Sequence, residues 1–399
     1  MSKVIVHIDL NMFFVRCEEI RDPSLIGKAV AVGHEGRSGI VSTCSYEARK
    51  YGVHSGQPMF QAKKLCPHLI IKPVDFAFYH YYSHQFFDYV KTYTNIIEKA
   101  SVDECYADFT LAVKGVKDIV KFFKDFQDGL YKKTQLMCSI GVAPTKFLAK
   151  MGSDYKKPMG ITIIRRRDIA TILYPLSIDK FWGIGKKTEP KLRKLGINTI
   201  GDLAKRVNSD DEDIKNVFGK FYYVIKDWIS GYGDDEVITE PWDPKSVGNS
   251  RTFSHDTNDY EEIKAMFLYL SQEVARRAKE DNKLGNTVQI VVKDAIREEN
   301  FVSHNKSITF DNPTNDANVI FSYAMKLYDK NFVGRLIRLA GVTLQNLIDK
   351  KDMVIQMTLF DYEKHEEESQ TKLLINELNR KMKTPMLKRA SEVKKNDGD

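Results

Sequence analysis

Cysteine is scarce in this chain and never paired. The five cysteines (Cys17, Cys44, Cys66, Cys105, Cys138) are odd in number, scattered, and form no CxxC pair. That spacing argues against a disulfide framework or a thiolate zinc site and for buried free thiols. Long apolar runs are missing too. None reaches the roughly 18 residues a membrane span needs. The opening stretch Met1-Ser2-Lys3-Val4-Ile5-Val6-His7-Ile8-Asp9 meets an acid too early for a signal peptide. The expectation is a cytoplasmic protein with no membrane partner.

What is present is an ordinary globular composition, 42% apolar and 29% charged over 399 residues. That length exceeds one core and suggests about two to four domains. The formal charge of +7 points to a polyanion partner. From Asp349 onward eleven basic residues balance eleven acids, so the excess lies earlier. Lys180, Lys186, Lys187, Lys191, Arg193 and Lys194 form a dense part of it, a stripe that a solvated helix face would also show.

The segment Ser101-Val102-Asp103-Glu104-Cys105-Tyr106-Ala107-Asp108 sets two acids side by side between apolar flanks. The pattern reads as two short strands meeting at a tight turn. On a strand the two side chains would point apart; at a turn they can converge. Converging carboxylates repel unless a cation lies between them, and oxygen-only ligands suit Mg²⁺. A solvated hairpin tip is the competing reading for the pair alone.

The rest of the chain decides between them. Residues 4–10 read as a buried strand ending near Asp9, and a helix through Phe13, Phe14, Cys17 and Ile20 stops at Asp22-Pro23. Residues 24–74 are short Gly-punctuated pieces that look like an insertion, with a helix near Tyr46 to Lys50. Ile119, Phe123, Phe126 and Leu130 make one apolar helix face, and a strand from Met137 to Val142 leads through Pro144 into another helix. Strand, helix, two strands, helix, strand is the ferredoxin-like order. It brings Asp9 beside Asp103 and Glu104, a two-metal arrangement. Residues 168–232 read as all-helical, and Gly183-Ile184-Gly185-Lys186-Lys187 fits a helix-hairpin-helix that grips a DNA phosphate, with an ordinary interhelical turn as the competing reading. A polar, Pro-bearing linker follows, then a second α+β domain. The last fifty residues are charge-rich, with an amphipathic helix around Leu373 to Met382.

Taken together these residues resemble the Y-family translesion DNA polymerases, in order from residue 4 to about 360. The resemblance rests on His7-Ile8-Asp9-Leu10-Asn11-Met12-Phe13-Phe14, on Ser45-Tyr46-Glu47-Ala48-Arg49-Lys50-Tyr51-Gly52-Val53 and on Ser101-Val102-Asp103-Glu104. It extends to Ser139-Ile140-Gly141-Val142-Ala143, Lys157-Pro158-Met159-Gly160, the FWGIGKKT segment and Ser250-Arg251-Thr252-Phe253. It implies a multidomain α+β fold: a ferredoxin-like palm (1–21 and 75–165), small fingers (22–74), an all-α helix-hairpin-helix thumb (166–232), a linker (233–245), an α+β little finger (246–347) and a tail (348–399).

The resemblance also implies roles. Asp9, Asp103, Glu104 and the carbonyl of Leu10 would hold two Mg²⁺ ions. Thr43, Tyr46, Arg49 and Lys157 would bind the triphosphate, and Phe14 would be the steric gate against ribonucleotides. Met12 departs from the small or aromatic residue more usual there, which bears on base-pair contacts and lesion preference. Gly183, Gly185, Lys186, Lys187 and Arg251 would meet primer-template DNA. Gln356, Leu359 and Phe360 resemble the bacterial sliding-clamp motif. A monomeric, non-proofreading, low-fidelity polymerase using dNTPs is the expectation. A palm-domain nucleotide cyclase and a non-catalytic DNA- and clamp-binding accessory protein are the alternatives. The helix-hairpin-helix and the second domain argue against the first, and the three acids, all present, against the second.

Overall fold

A computed structural model describes residues 3–295 and 302–353. The chain divides into two compact units between Trp242 and Asp243.

The first unit is built on β1 (Ile5–Leu10), whose apolar residues are buried on both faces. α1 (Phe13–Arg21) follows. β2 (Val30–Gly33), β3 (Val41–Cys44), α2 (Tyr46–Arg49), α3 (Met59–Leu65) and β4 (Ile70–Lys72) form a small insertion around a three-stranded sheet, ordered β3-β2-β4. α4 (Phe76–Lys91) starts at Asp75, whose side chain accepts from the Phe78 N–H at 3.1 Å. Then come β5 (Ile97–Lys99), β6 (Glu104–Asp108), α5 (Ile119–Thr134), β7 (Cys138–Ala143), α6 (Lys146–Tyr155) and β8 (Ile161–Ile163). The main sheet runs β5-β6-β1-β7-β8. Without β8 this is the ferredoxin-like order expected from the sequence.

The apolar stripe on α5 closes the core: Phe123, Phe126 and Leu130 are fully buried. Phe126 meets Tyr89, Tyr93 and Phe109 at ring distances of 5.1, 4.9 and 6.0 Å. On the sheet's other face α6 lies close against β7. A Cβ on Gly141 would stand 1.8 Å from the Ala149 carbonyl oxygen, so only glycine permits that approach. The approach sets Lys150 and Ser153 of α6 over β1.

Between residues 166 and 232 the structure is helical, as the sequence indicated, with α7 (Ile169–Ile172), α8 (Glu189–Lys194), α9 (Ile200–Asn208), α10 (Glu212–Phe218) and α11 (Tyr222–Ser230). The following segment reads as a free linker by composition, yet its first half is fastened. Lys146 pairs with Asp234 at 2.6 Å and with Glu98 at 3.0 Å, and the Ile238 N–H donates to Glu98 at 2.8 Å.

The second unit is a four-stranded antiparallel sheet of β9 (Ser246–Thr257), β10 (Lys283–Asp294), β11 (Ser303–Thr314) and β12 (Ile337–Asp349), ordered β11-β10-β12-β9. α12 (Tyr260–Glu280) and α13 (Ala317–Asn331) pack with it in one core through Phe267, Val288, Ile290, Val292, Ala340 and Val342. Thr287, Gln289, Thr343 and Gln345 alternate with those buried residues and so point the other way, onto the opposite face. No helix among the described residues is long and apolar enough to cross a membrane.

Candidate active site

Strand pairing builds the acidic end of the main sheet. β1 and β6 are antiparallel neighbours with Asp9 directly opposite Glu104, so their side chains share the face toward α6. Asp103 sits one residue earlier, in the turn from β5, and its carbonyl accepts the Leu10 N–H at 2.9 Å. That turn is held elsewhere too: Ser83 donates to the Val102 carbonyl at 2.5 Å, and Ser101 Oγ donates to Asp103 Oδ1 at 2.5 Å. The three acids come from separated segments but need no long side-chain reach to meet.

A cleft of about 350 Å³ opens at this end. Asp9, Leu10, Phe14, Thr43, Tyr46, Arg49, Asp103 and Lys157 all line it, with Asn11, Met12, Ser42 and Ser55. Tyr46 and Arg49 project together from α2, the guanidinium 4.8 Å from the Tyr46 ring centre. Lys157 Nζ lies 2.7 Å from Asp9 Oδ1. Phe14 is stacked on Tyr79 at 4.3 Å and meets the edge of Phe76. The Tyr79 hydroxyl donates to the buried Glu18 carboxylate at 2.8 Å, which fixes the ring beneath Phe14. Met12, at the turn into α1, takes a left-handed conformation with φ of 42°, a strained choice for a residue with a side chain.

Glu104 lies behind the cleft rather than on its lining. There it meets residues the sequence reading missed. His7, fully buried, places Nε2 3.3 Å from Glu104 Oε2, while its Nδ1 lies 2.7 Å from Ser153 Oγ. Lys150 spans both strands, 2.8 Å from Glu104 and 3.2 Å from Asp9. His7 was within reach of the sequence: it precedes Asp9 by two residues, so a strand puts both on one face. Lys150 gave no comparable signal.

The electrostatics follow from these neighbours. His7 and then Lys150 hold the Glu104 carboxyl far below its usual range. Burial lowers the His7 pKa, favouring the neutral ring. Burial works against the charges on Lys150 and Lys157, but Asp9 and Asp154 more than offset it and raise both. Asp103 differs. Burial, with Asp9 and Glu104 nearby, raises its carboxyl pKa even though Ser101 donates to it. A divalent cation would relieve that charge. The donor set fits one: His7, Asp9 and Glu104 offer ligand atoms within 4.8 Å of one another, and Asp103 and the Leu10 carbonyl are adjacent.

The remaining sequence-derived candidates lie outside the cleft. Gly183, Gly185, Lys186 and Lys187 occupy the loop before α8, where Gly183 has φ of 97°. Arg251 is on β9 of the second unit, its guanidinium 5.3 Å from the ring centre of Tyr269 on α12, hence on the helix side of that sheet. Gln356, Leu359 and Phe360 fall outside the described residues.

Comparison with known proteins agrees with this geometry. Residues 8–154 match the impB/mucB/samB family, 166–197 the IMS family HHH motif, and 244–359 the impB/mucB/samB family C-terminal domain. The chain is 37% identical to DNA polymerase IV of Bacillus velezensis, over 99% of this chain and 94% of that protein. The chain belongs to the Y family of DNA polymerases. DNA polymerase IV 1 of Bacillus subtilis is likewise 37% identical, with the same coverage. Among solved structures, a Y-family chimera of Dbh and Dpo4 matches with a TM-score of 0.72 at 27% identity, over 87% of this chain and 99% of that one. An insertion ternary complex of Dbh DNA polymerase gives a TM-score of 0.58 at 26% identity, with equal coverage. Membership in the family makes the chain a DNA-directed DNA polymerase.

Because Asp103 has a raised pKa, the fold binds its proton more tightly than the unfolded chain does. The ionised form therefore costs stability, and the cost grows as pH rises above about 4, the ordinary carboxylate value. In chelator, Asp103→Asn should melt above wild type at neutral pH, and the gap should close toward pH 4. Added Mg²⁺ should raise the wild-type melting temperature more than the variant's. Equal or lower melting of the variant at pH 7 would show that the Asp103 charge is already compensated.

Proposed function

We propose that this polymerase performs translesion synthesis by two-metal phosphoryl transfer, without proofreading, and is recruited by the bacterial sliding clamp. One observation carries the reading: a single cleft joins the acidic end of the sheet to the cations Arg49 and Lys157 and to the Phe14 ring stacked on Tyr79. The proposed division of the chain is the one implied by the family resemblance: palm, small fingers, thumb, linker, little finger and tail. The protein acts as a cytoplasmic monomer on primer-template DNA and dNTPs.

Asp9, Asp103, Glu104 and the Leu10 carbonyl would hold two divalent ions, Mg²⁺ by their hard oxygen donors. Bound there, the ions would supply charge neutralisation at the primer 3′-hydroxyl and along the triphosphate. Everything else falls to the chain. Arg49 offers a planar fork to phosphate oxygens, and Tyr46 a hydroxyl beside it. Lys157 now answers the Asp9 charge and can turn its three donors to a triphosphate. Thr43, on β3, adds a hydroxyl at the same wall of the cleft.

The Phe14 ring sets sugar selectivity. Held by Tyr79, it cannot swing away to admit a 2′-hydroxyl. Gly183, Gly185, Lys186 and Lys187 suit a sequence-blind grip on a DNA phosphate, and Arg251 a second phosphate contact. The clamp contact is assigned to Gln356, Leu359 and Phe360 on their sequence alone.

Primer extension on a damaged and an undamaged template tests the reading directly. Wild type should add dNTPs with Mg²⁺, and Asp103→Ala should lose at least about 10³-fold in rate, the scale of losing charge stabilisation in a transition state. An inactive wild type, or an Asp103→Ala variant near full activity, sinks it. In the same assay Phe14→Ala should incorporate ribonucleotides; unchanged sugar discrimination would refute the gate. Alanine at both Leu359 and Phe360 should abolish clamp binding by surface plasmon resonance while clamp-free extension persists. Surviving clamp affinity would move the docking site elsewhere.

A further inference from the structure

Lys157 stands on a turn whose backbone is gripped from two sides by buried amides. Asn11 and Gln127 are each 1% exposed. Asn11 Oδ1 accepts the Met159 N–H at 2.8 Å, and its Nδ2 donates to Ser139 Oγ at 2.9 Å. From the other side Gln127 Nε2 donates to the Met159 carbonyl at 3.2 Å and to the Cys138 carbonyl at 2.8 Å. Side chains therefore satisfy both backbone groups of Met159. Met159 needs that support, because its φ of 58° is left-handed, a conformation that persists only where the surroundings hold it.

The two amides reach the turn from different elements. Asn11 leaves the end of β1 two residues after Asp9, and its own N–H bonds the Met137 carbonyl at 2.7 Å. Gln127 belongs to α5. The turn is thus referenced to the strand that bears Asp9 and to the helix behind the sheet. Lysine has a long, freely rotating stem, so where its ammonium can go is set by where its backbone starts. A single residue, Pro158, separates Lys157 from the gripped Met159.

We propose that Asn11 and Gln127 are positioning residues for the incoming nucleotide, clamping the Lys157–Met159 turn so that Lys157 meets the triphosphate beside Asp9. The inference rests on the reading of Lys157 as a triphosphate ligand. A neutral amide suits both places because each needs a donor or acceptor in a buried setting, where an unpaired backbone group is costly. Leucine has nearly the same shape and neither function.

The test is steady-state primer extension by the full-length protein carrying Asn11→Leu or Gln127→Leu, each alone and combined with Lys157→Met. Each single variant should raise the dNTP KM about tenfold, a loss of the size seen when a supporting contact is removed, with a much smaller change in kcat. In the Lys157→Met background neither substitution should raise KM further, since the lysine through which it acts is gone. Unchanged KM in both single variants overturns the clamp. So does an equal KM rise with or without Lys157, which would mean a general structural defect. A wild type that extends no primer removes the polymerase reading itself, whereas an active wild type beside unaffected variants removes only this inference.

Discussion

Two carboxylates in register on neighbouring strands form the constraint around which this end of the molecule is arranged. Asp9 and Glu104 face each other across β1 and β6 by the pairing itself, so no side-chain rotation takes them far apart. Like charges at that spacing must be balanced or one must protonate. The chain balances them with Lys150, held over the strands because Gly141 lets α6 approach β7. Lys150 is absent from the cleft lining, while Lys157 lines it on the other side of Asp9. One lysine is built into the scaffold; the other stands where a ligand arrives. Among the described residues Asp103 has no such partner, and its raised pKa marks the place where compensation is missing. On the proposed reading, that deficit is what a metal ion fills.

The acid cluster was legible because it depends on the most regular features of the sequence. Strand periodicity, the α5 stripe of Phe123, Phe126 and Leu130, and the order of elements suffice to bring Asp9 to Asp103. Elements without periodic contrast were not legible. In α4 aromatic residues surround the helix on nearly all sides (Phe76, Tyr79, Tyr81, Tyr82, Phe86), so no single apolar face stands out. Strand β9 is Ser-Val-Gly-Asn-Ser-Arg-Thr along most of its length, and its apolar residues Val247 and Phe253 are six positions apart. The segment after α11 has a linker's composition, but charges fasten it: Asp234 to Lys146, and Ile238 to Glu98. Composition can say that a segment is polar; it cannot say whether each polar group has found a partner.

The same distinction separates site residues by how they act. Residues that would touch substrate, such as Arg49 and Phe14, sit in local strings whose pattern can be recognised. Residues that hold those groups in place lie elsewhere in the chain and are ordinary in type. Tyr79 is sixty-five positions from Phe14, yet it supplies the surface the ring stacks on. Ser83, one turn further along the same helix, reaches the Val102 carbonyl. Nothing near Phe14 or Asp103 in sequence foreshadows either contact, because the contact exists only once α4 packs on α1 and the β5–β6 turn.

Support of this kind bears on how an open, permissive polymerase site can still be chemically exacting. A site that accepts altered templates must leave space around the base, so it gives up contacts there. Orientation of the triphosphate and the sugar must then come from the opposite side of the cleft. That side is buttressed here: Phe14 rests on Tyr79, which is bonded to Glu18, and the Lys157 turn is gripped through Met159 by two amides. On the proposed reading these supports lie under sugar and phosphate, the parts every dNTP shares. Tolerance of the base and precision at the phosphate are therefore compatible demands, because different walls of one cleft meet them.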